Sequence, residues 1–271
     1  MAAVTQFVVA TTEAFTAMLA TVLAGIAIGG AVASLILKTR ARLQLWLTIV
    51  QVVELSKGVV GAAPFFAHVN YDLLNQPNVT VRIDDGPNFL TFTDRQFDVI
   101  TADIIQPGHA GAGHVYSREY FSLVRRGLKR DGVVLQWIGK RPSLEYKLIM
   151  RTFLDVFPDA TLWNDGEFMV GTQRPLTIDP ATIERVRSHP PARERLDAIG
   201  LTSFDVLRSW YTPGAGEMRA FVGAGPLLTD DRPLVEYSHW LPPSSEQPPL
   251  DLTSLKGDVN RIISGVPRGE R

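Results

Sequence analysis

Residues 97–137 read FDVITADIIQPGHAGAGHVYSREYFSLVRRGLKRDGVVLQW. A β-branched run, FDVITA, leads through a glycine-rich loop into a helix-like stretch, and a second apolar run, GVVLQW, follows. Strand, helix and strand in this order indicate a βαβ unit, whose two strands lie parallel in one sheet. The helix-like stretch SREYFSLVRRGLKRDG is predicted to start at a Ser117 cap and to stop at Gly132, after basic residues.

Similar patterns lie on both sides of this unit. The runs TIVQVVEL (48–55) and VTVRI (79–83) predict buried parallel strands, and PSLEYKLIMRTFLDVF (142–157) predicts an amphipathic helix. The next segment, ATLWNDGEFMVGT, contains the hairpin signal Asn164-Asp165-Gly166 between two short apolar runs. The predicted fold is α/β and class I methyltransferase-like (Rossmann-like), with a mostly parallel sheet ending in an antiparallel hairpin.

Composition narrows the functional class. The chain has 271 residues, 45% of them hydrophobic and 20% charged, as expected of a folded protein. A net charge of −1 argues against a nucleic-acid-binding protein, which usually carries a basic excess. Because there are no cysteines, a disulfide framework, a thiolate zinc site and a cysteine nucleophile are excluded. No metal site is predicted, since His109 and His114 have no third ligand nearby.

The N-terminal part contains a candidate membrane segment. Residues 14–37 carry no charge over about 24 positions, a length sufficient for a transmembrane helix. Lys38, Arg40 and Arg42 follow directly, and the positive-inside rule places what comes after them in the cytoplasm. We therefore expect a protein of the cell membrane whose soluble domain faces the cytoplasm.

Two alternatives apply to the same residues. A cleaved signal peptide would carry its positive charges before the apolar stretch, whereas here they follow it. Alternatively, TVLAGIAIGGAVASLILKTR (21–40) is a buried strand, a glycine turn and a helix of a nucleotide-binding unit, with Glu54 as the acid on the next strand. The glycines do not form the G-x-G-x-x-G pattern.

These patterns divide the chain into three parts. Residues 1–42 form a membrane segment with a basic flank, and residues 43–240 form the α/β domain. The last part, residues 241–271, contains LPPSSEQPPLDLTS and is predicted to be a Pro/Ser-rich tail that contributes little to a core.

Three acidic residues follow predicted strands: Glu54, Asp85 and Asp103. Ligands of open parallel sheets bind outside the carboxyl ends of the strands, so we expect these three acids to face one crevice. Asp103 lies between Ala102 and Ile104, and partial desolvation there is expected to raise its pKa so that it can act as a base. The alternative for each acid is a helix cap or a turn. The loop PGHAGAGH is either a lid over the crevice or an irregular connection.

Four motifs are informative when taken together: VVELSKGVV, NVTVRIDDGPNFL, FDVITADIIQPGHAGAGHVYSREYFSLVRRGLKRDGVVLQW and LLTDDRPLVEY. They resemble the spermidine/spermine synthase family (polyamine aminopropyltransferase-like), in particular bacterial members fused to a multi-helix membrane region. The resemblance covers about two thirds of the chain, with its motifs in the family's order.

This resemblance implies transfer of an aminopropyl group from decarboxylated S-adenosylmethionine, a co-substrate and not a tightly bound cofactor, to a small amine such as a diamine. Glu54 would bind the ribose, and Asp85 with Gly86 would contact the adenine. Asp103 would orient and deprotonate the attacking amine, and Gln106 and Tyr116 would contact the substrate. A homo-oligomer is also expected. The alternatives are methyl transfer from S-adenosylmethionine and a non-catalytic, synthase-like binding protein.

The chain also departs from the family pattern. The glycine-rich loop that precedes the ribose-binding acid is not evident, as though a stretch between Gln51 and Val52 were absent. The small N-terminal β domain of soluble synthases has no counterpart, so the synthase-like part is expected to be truncated. Gln106 stands where those enzymes have a second acid.

Overall fold

A computed structural model describes residues 50–70, 72–102, 107, 111–237, 241–242 and 245–264. These residues fall into two compact units, the first ending at Thr93 and the second beginning at Asp94. The predicted membrane segment, residues 14–37, lies outside the described residues. Within the described part, every helix is too short or too polar to cross a membrane.

The first unit contains two parallel strands and the short helices that connect and follow them. β1 (Val50–Glu54) pairs with β2 (Val79–Ile83), with Glu54 opposite Ile83. Between them lie α1 (Lys57–Ala62), α2 (Ala67–Asn70) and 3₁₀ turns at Ala63–Phe66 and Leu73–Asn75; after β2 comes α3 (Gly86–Phe92).

The parallel pairing predicted for these two runs is confirmed, but their predicted burial is wrong. Their described side chains are half-buried or exposed. In the described part of the chain, each of the two strands pairs only with the other.

The second unit contains a four-stranded sheet in the order β3-β4-β6-β5. Its strands are β3 (Phe97–Ala102), β4 (Leu128–Trp137), β5 (Thr161–Trp163) and β6 (Phe168–Thr172). β3 and β4 are parallel, whereas β6 is antiparallel to both β4 and β5. The α/β class and the closing hairpin are confirmed. The prediction of a mostly parallel sheet is not met, because the described strands form mixed sheets.

The hairpin depends on a turn with left-handed backbone. Asn164, Asp165 and Gly166 have φ values of 52, 51 and 86°, a region that Asn, Asp and Gly tolerate better than other residues. The Tyr146 hydroxyl donates to the Gly166 carbonyl at 2.6 Å and attaches the turn to the next layer. The local sequence signal therefore predicted this hairpin correctly.

The helix after Ser117 ends earlier than predicted. α4 spans Arg118–Gly127, and the Ser117 hydroxyl accepts from the Tyr120 N–H at 3.1 Å, which confirms the predicted cap. Gly132 is not the helix end, because residues 128–131 already belong to β4, where Leu128 pairs with Phe97 through a bulge. The pairing of Leu128 with Phe97 thus ends the helix before the basic residues.

The core of the second unit forms between the sheet and α5 (Ser143–Val156). Phe153 of α5 and Phe157 pack against β6 at Gly171, where a β-carbon would lie 2.8 and 2.7 Å from their rings. Only a glycine permits this approach. Of the predicted apolar stripe of α5, Leu148, Ile149, Phe153 and Phe157 are buried, whereas Leu144 is exposed.

The C-terminal part is helical and then irregular. Its helices are α6 (Pro180–Arg187), α7 (Pro190–Ala198), α8 (Phe204–Ser209) and α9 (Ala215–Val222). Beyond them, Gln247, Leu255 and Ile263 are buried, and the Ser264 N–H donates to the Ile178 carbonyl at 2.8 Å. The expectation that residues after 240 contribute little to a core is therefore wrong for the described residues 245–264. Leu252 lies beside Gly166 of the hairpin turn, and the Gly257 N–H donates to the Thr212 carbonyl at 2.7 Å.

Candidate functional site

The carboxyl edge of β1 and β2 brings together two of the predicted ligand-binding positions. Glu54 ends β1, and the N–H of Asp84, the first residue after β2, donates to the Glu54 carbonyl at 3.2 Å. Asp85 and Gly86 follow directly. The first unit therefore holds Glu54, Asp85 and Gly86 at one edge of its sheet, as the sequence predicts.

The Glu54 side chain is half-buried and oriented by the backbone. Its Oε1 accepts from the Ser56 N–H at 2.8 Å. Among the described residues, Oε2 has no hydrogen-bond donor. A carboxylate oriented in this way still has lone pairs for two hydroxyl groups, as a ribose diol would require.

Asp85 caps α3, so the alternative role of a helix cap is observed for this acid. Its Oδ2 accepts from the Asn88 N–H at 3.4 Å, a long bond that uses only one oxygen. At Gly86, the space that a β-carbon would occupy is open, with no atom within 4 Å. The Asp85-Gly86 turn thus offers a carboxylate oxygen and uncovered backbone, which is compatible with contact to a flat heterocycle.

Asp84 is a residue of this edge that the sequence analysis missed. Its carboxylate accepts from Arg82 Nε (2.9 Å), from the Asp85 N–H (2.9 Å) and from Asn88 Nδ2 (2.8 Å). The hydrogen bond from Asn88 is the main cause that lowers the Asp84 pKa, and partial burial opposes it. Asp84 therefore stays ionised and fixes the turn that presents Asp85. The sequence pattern that could have identified Asp84 is an asparagine, Asn88, four residues after the first of two adjacent acids.

In the second unit, β3 ends at the buried Ala102, directly before the predicted base. Asp103 and Gln106 lie outside the described residues, so their assigned roles remain predictions. Ala102 pairs with Gln136 of β4, which places the Gln136 backbone beside the end of β3. This is the carboxyl edge of a parallel pair, where ligands bind in open sheets.

Gln136 is itself a functional candidate that the sequence analysis missed. Its side chain is fully buried, and Nε2 donates to the Trp137 carbonyl at 3.1 Å. Its Oε1 is buried without a hydrogen-bond partner in the described structure. An unpaired buried amide oxygen is costly, and it therefore indicates a position where a donor is expected. The available signal was a polar residue at an interior position of the apolar run GVVLQW.

The glycine-rich loop is anchored by a residue far away in the sequence. Glu236 accepts from the Gly111 N–H through Oε1 at 2.8 Å and from the Gly113 N–H through Oε2 at 3.2 Å. A β-carbon on Gly113 would lie 2.7 Å from Pro233 Cβ, so only glycine fits there. Glu236 belongs to the motif LLTDDRPLVEY. The described end of the loop is thus held in place by this motif.

Tyr116, predicted to contact the substrate, is fully buried directly after this loop. The following turn is tied to the same motif, since the Arg118 N–H donates to the Leu228 carbonyl at 2.9 Å. Tyr116 also interacts electrostatically with Arg141, a half-buried residue that follows β4. The two residues therefore lie in one polar cluster of the second unit.

The second unit also contains a surface cavity. Its volume is about 460 Å³. It is lined by Gln96, Arg118, Ser122, Arg125, Arg126, Asp155, Val156 and Gln173. No predicted site residue is among this lining, and the described residues contain no group of three His, Asp or Glu side chains arranged for a metal ion.

Comparison with known proteins supports the resemblance seen in the motifs. Residues 29–155 match the family model of the spermine/spermidine synthase domain. All of the predicted site residues lie within that range. The match starts at Gly29 and so overlaps the last part of the predicted membrane segment, 14–37.

Curated relatives share short regions with this chain. A polyamine aminopropyltransferase of Oceanobacillus iheyensis is 33% identical over 89 residues, which are 32% of this chain and 17% of that protein. One from Thermococcus kodakarensis is 27% identical over 151 residues, covering 50% of this chain and 52% of that protein. The chain therefore spans about half or less of the length of these relatives.

Solved structures resemble the chain at low identity. A spermidine synthase in complex with the transition state analogue AdoDATO is 22% identical, with a TM-score of 0.47 and coverage of 53% of both chains. A probable spermidine synthase from Corynebacterium glutamicum is 18% identical, with a TM-score of 0.46 and coverage of 66% of this chain and 63% of that one.

Proposed function

We propose that this chain is a spermidine synthase-like aminopropyltransferase. The observation that supports this most strongly is the pairing of the Glu54 and Asp84 backbones inside the segment that matches the synthase domain. This pairing puts Glu54, Asp85 and Gly86 at one sheet edge. The substrates are decarboxylated S-adenosylmethionine and a small amine.

The first unit binds the adenosine of the donor in this proposal. Glu54 accepts hydrogen bonds from the ribose hydroxyls through the oxygen that Ser56 leaves free. Asp85 accepts from an adenine nitrogen with the oxygen that does not cap α3, and the uncovered backbone at Gly86 lies against the ring.

Asp103 acts as the base in the transfer step. It attracts the protonated amine, accepts one proton from it and leaves a neutral nitrogen. The nitrogen lone pair forms a bond to the propyl carbon attached to the sulfonium, and the carbon–sulfur bond breaks. Its electron pair goes to sulfur, which leaves as the neutral thioether of methylthioadenosine. The product nitrogen keeps its two protons as a secondary ammonium, and Asp103 releases the proton that it accepted to solvent.

The acceptor amine is held by groups around the end of β3. Tyr116 and Gln106 contact it, as the family resemblance implies. We add Gln136, whose buried Oε1 lacks a donor in the described structure and pairs with an N–H of the bound amine. An acceptor nitrogen would thus satisfy an otherwise unpaired oxygen.

Product analysis tests the transfer reaction directly. Purified protein is incubated with decarboxylated S-adenosylmethionine and putrescine, and methylthioadenosine and the aminopropylated amine are quantified by mass spectrometry. The Asp103→Asn variant is expected to lose most of the rate. The matched control is Asp98→Asn, at the opposite end of β3, whose side chain accepts from Lys129 at 2.7 Å.

The outcomes separate the alternatives. Methylated product from S-adenosylmethionine would favour methyl transfer. Binding of methylthioadenosine without any product would favour a non-catalytic relative, and equal rates in Asp103→Asn and the wild type would reject Asp103 as the base.

Membrane anchoring through residues 14–37, with the synthase-like part in the cytoplasm, remains part of the proposal. Carbonate extraction of membranes tests it, because a spanning helix keeps the chain in the pellet. Release into the soluble fraction would instead favour the strand, glycine turn and helix alternative. The start of the family match at Gly29 agrees with that alternative.

A further inference from the structure

A half-buried arginine follows the end of β4 in the second unit. Arg141 donates from Nε to the Ile138 carbonyl at 2.7 Å, and Nη2 donates to the same oxygen. Its guanidinium carbon lies 5.6 Å from the centre of the Trp137 ring. Two donors on one carbonyl and a stacked indole hold the guanidinium in a single orientation.

The backbone of Gly139 packs closely against the Trp137 ring, which lies next to the Arg141 guanidinium. Gly139 has φ of 62°, and a β-carbon there would lie 2.3 Å from the indole. The segment from Trp137 to Arg141 is therefore folded closely on itself. It forms a rigid arrangement in which an aromatic ring supports a cation.

The charge of Arg141 is only weakly compensated. None of the ion pairs formed within 4.0 Å among the described residues includes Arg141. Glu145 interacts with it from a longer distance, and Glu145 also engages Gln247. The other two side chains that interact electrostatically with Arg141, those of Tyr116 and Tyr146, carry phenol groups and no carboxylate. A partly desolvated guanidinium with free donors and no bound carboxylate favours an anion as its ligand.

The position of this cation is informative because Tyr116 and Gln136 belong to the proposed acceptor site. Arg141 interacts with Tyr116, and it follows Gln136 by five residues at the same end of β4. The sequence has the neutral Gln106 where related synthases have a second acid. The described residues around the proposed acceptor site therefore include a positive charge. This charge disfavours a simple diamine with two ammonium groups.

We propose that Arg141 binds a carboxylate of the acceptor, so that the preferred acceptor is an amine that also carries a carboxylate, such as a diamino acid. This inference rests on the proposed function, and it specifies the acceptor class. The guanidinium pairs with the carboxylate in a bidentate manner while the distal amine is the nucleophile.

Matched ligand pairs test the inference by binding. Ornithine and putrescine differ only in a carboxylate, as do lysine and cadaverine, and calorimetry in the presence of methylthioadenosine measures the affinity of each. We expect ornithine to bind the wild type at least about tenfold more tightly than putrescine. Arg141→Gln should remove this preference, and Arg141→Lys should retain part of it. Thermal denaturation of each variant verifies that it is folded.

The binding and turnover measurements distinguish failure of the carboxylate site from failure of the transferase function. Selectivity for ornithine that depends on Arg141, without product, would support the carboxylate site and overturn the transferase function. Turnover of putrescine with equal affinity for both members of each pair would overturn the carboxylate site and support the transferase. Weaker binding of both ligands to a folded Arg141→Gln variant, with an unchanged ratio of their affinities, would also overturn it.

Discussion

The backbone N–H of Asp84 donates to the carbonyl of Glu54 at 3.2 Å, directly beyond the last paired residues of β1 and β2. This bond extends the strand register by one residue and sets where both chains leave the sheet. The Glu54 carboxylate and the Asp85-Gly86 turn consequently lie at the same edge. These two groups are about 30 residues apart in the sequence, and their position at one edge lets them contact the same ligand.

Replacement of Glu54 by Gln should weaken nucleoside binding. The amide keeps the shape of the side chain but removes the negative charge that accepts from the ribose hydroxyls, which corresponds to about a tenfold rise in the Kd for methylthioadenosine. Calorimetry measures this change. Asp72→Asn is the control in the same unit, because Asn also tolerates the left-handed backbone at that exposed position, where φ is 51°. Equal affinities for Glu54→Gln and wild type would contradict the assignment.

The ionised Asp84 should make stability depend on pH. Its pKa in the folded protein is lowered, chiefly by the hydrogen bond from Asn88. Its contribution is therefore present above the ordinary value of 3.8 and is lost as the pH falls through the lower folded-state pKa. We expect wild type to exceed Asp84→Asn in free energy of unfolding at pH 7, with the difference vanishing in strong acid. Urea titrations at several pH values measure it, and a difference independent of pH would refute this.

Short-range patterns account for what the sequence predicted well. The bounds of β2 and β3 follow from their β-branched runs, and the turn at Asn164 follows from residues that favour left-handed backbone. The end of α4 was mispredicted because residues 128–131 follow a helix but belong to β4, where Leu128 pairs with Phe97 of β3. Tertiary pairing decided their conformation, and no local pattern contains that information.

Three of the missed residues have roles that depend on folding, whereas the partners of Asp84 lie within four residues of it. Glu236 binds glycines that precede it by more than 120 positions. Gln136 is marked in the sequence only as a polar residue within an apolar run, and its buried oxygen without a donor in the described structure makes it a candidate. No motif of the sequence includes Arg141, and its position over Trp137 makes it a candidate ligand-binding group.

Gly171→Ala should destabilise the second unit. Its new methyl group would lie 2.7 Å from the Phe157 ring and 2.8 Å from Phe153, and both rings are fully buried and unable to move away. We expect a loss of about 1–3 kcal/mol in the free energy of unfolding. Gly216→Ala in α9 is the control, since no atom lies within 4 Å of its new methyl. That control should gain up to about 1 kcal/mol, because alanine restricts the unfolded chain. Equal stabilities of the two variants would contradict the packing argument.

Replacement of Glu236 by Ala should release the glycine-rich loop. Both carboxylate oxygens are lost, so the N–H groups of Gly111 and Gly113 lose their acceptor. Amide exchange at these two glycines should accelerate by about tenfold or more, and proteolysis within residues 107–116 should become faster. Glu236→Gln keeps one acceptor oxygen and should give an intermediate rate, while Glu246→Gln, at an exposed position, should match wild type. Unchanged exchange at Gly111 in Glu236→Ala would show that the loop is held by other contacts.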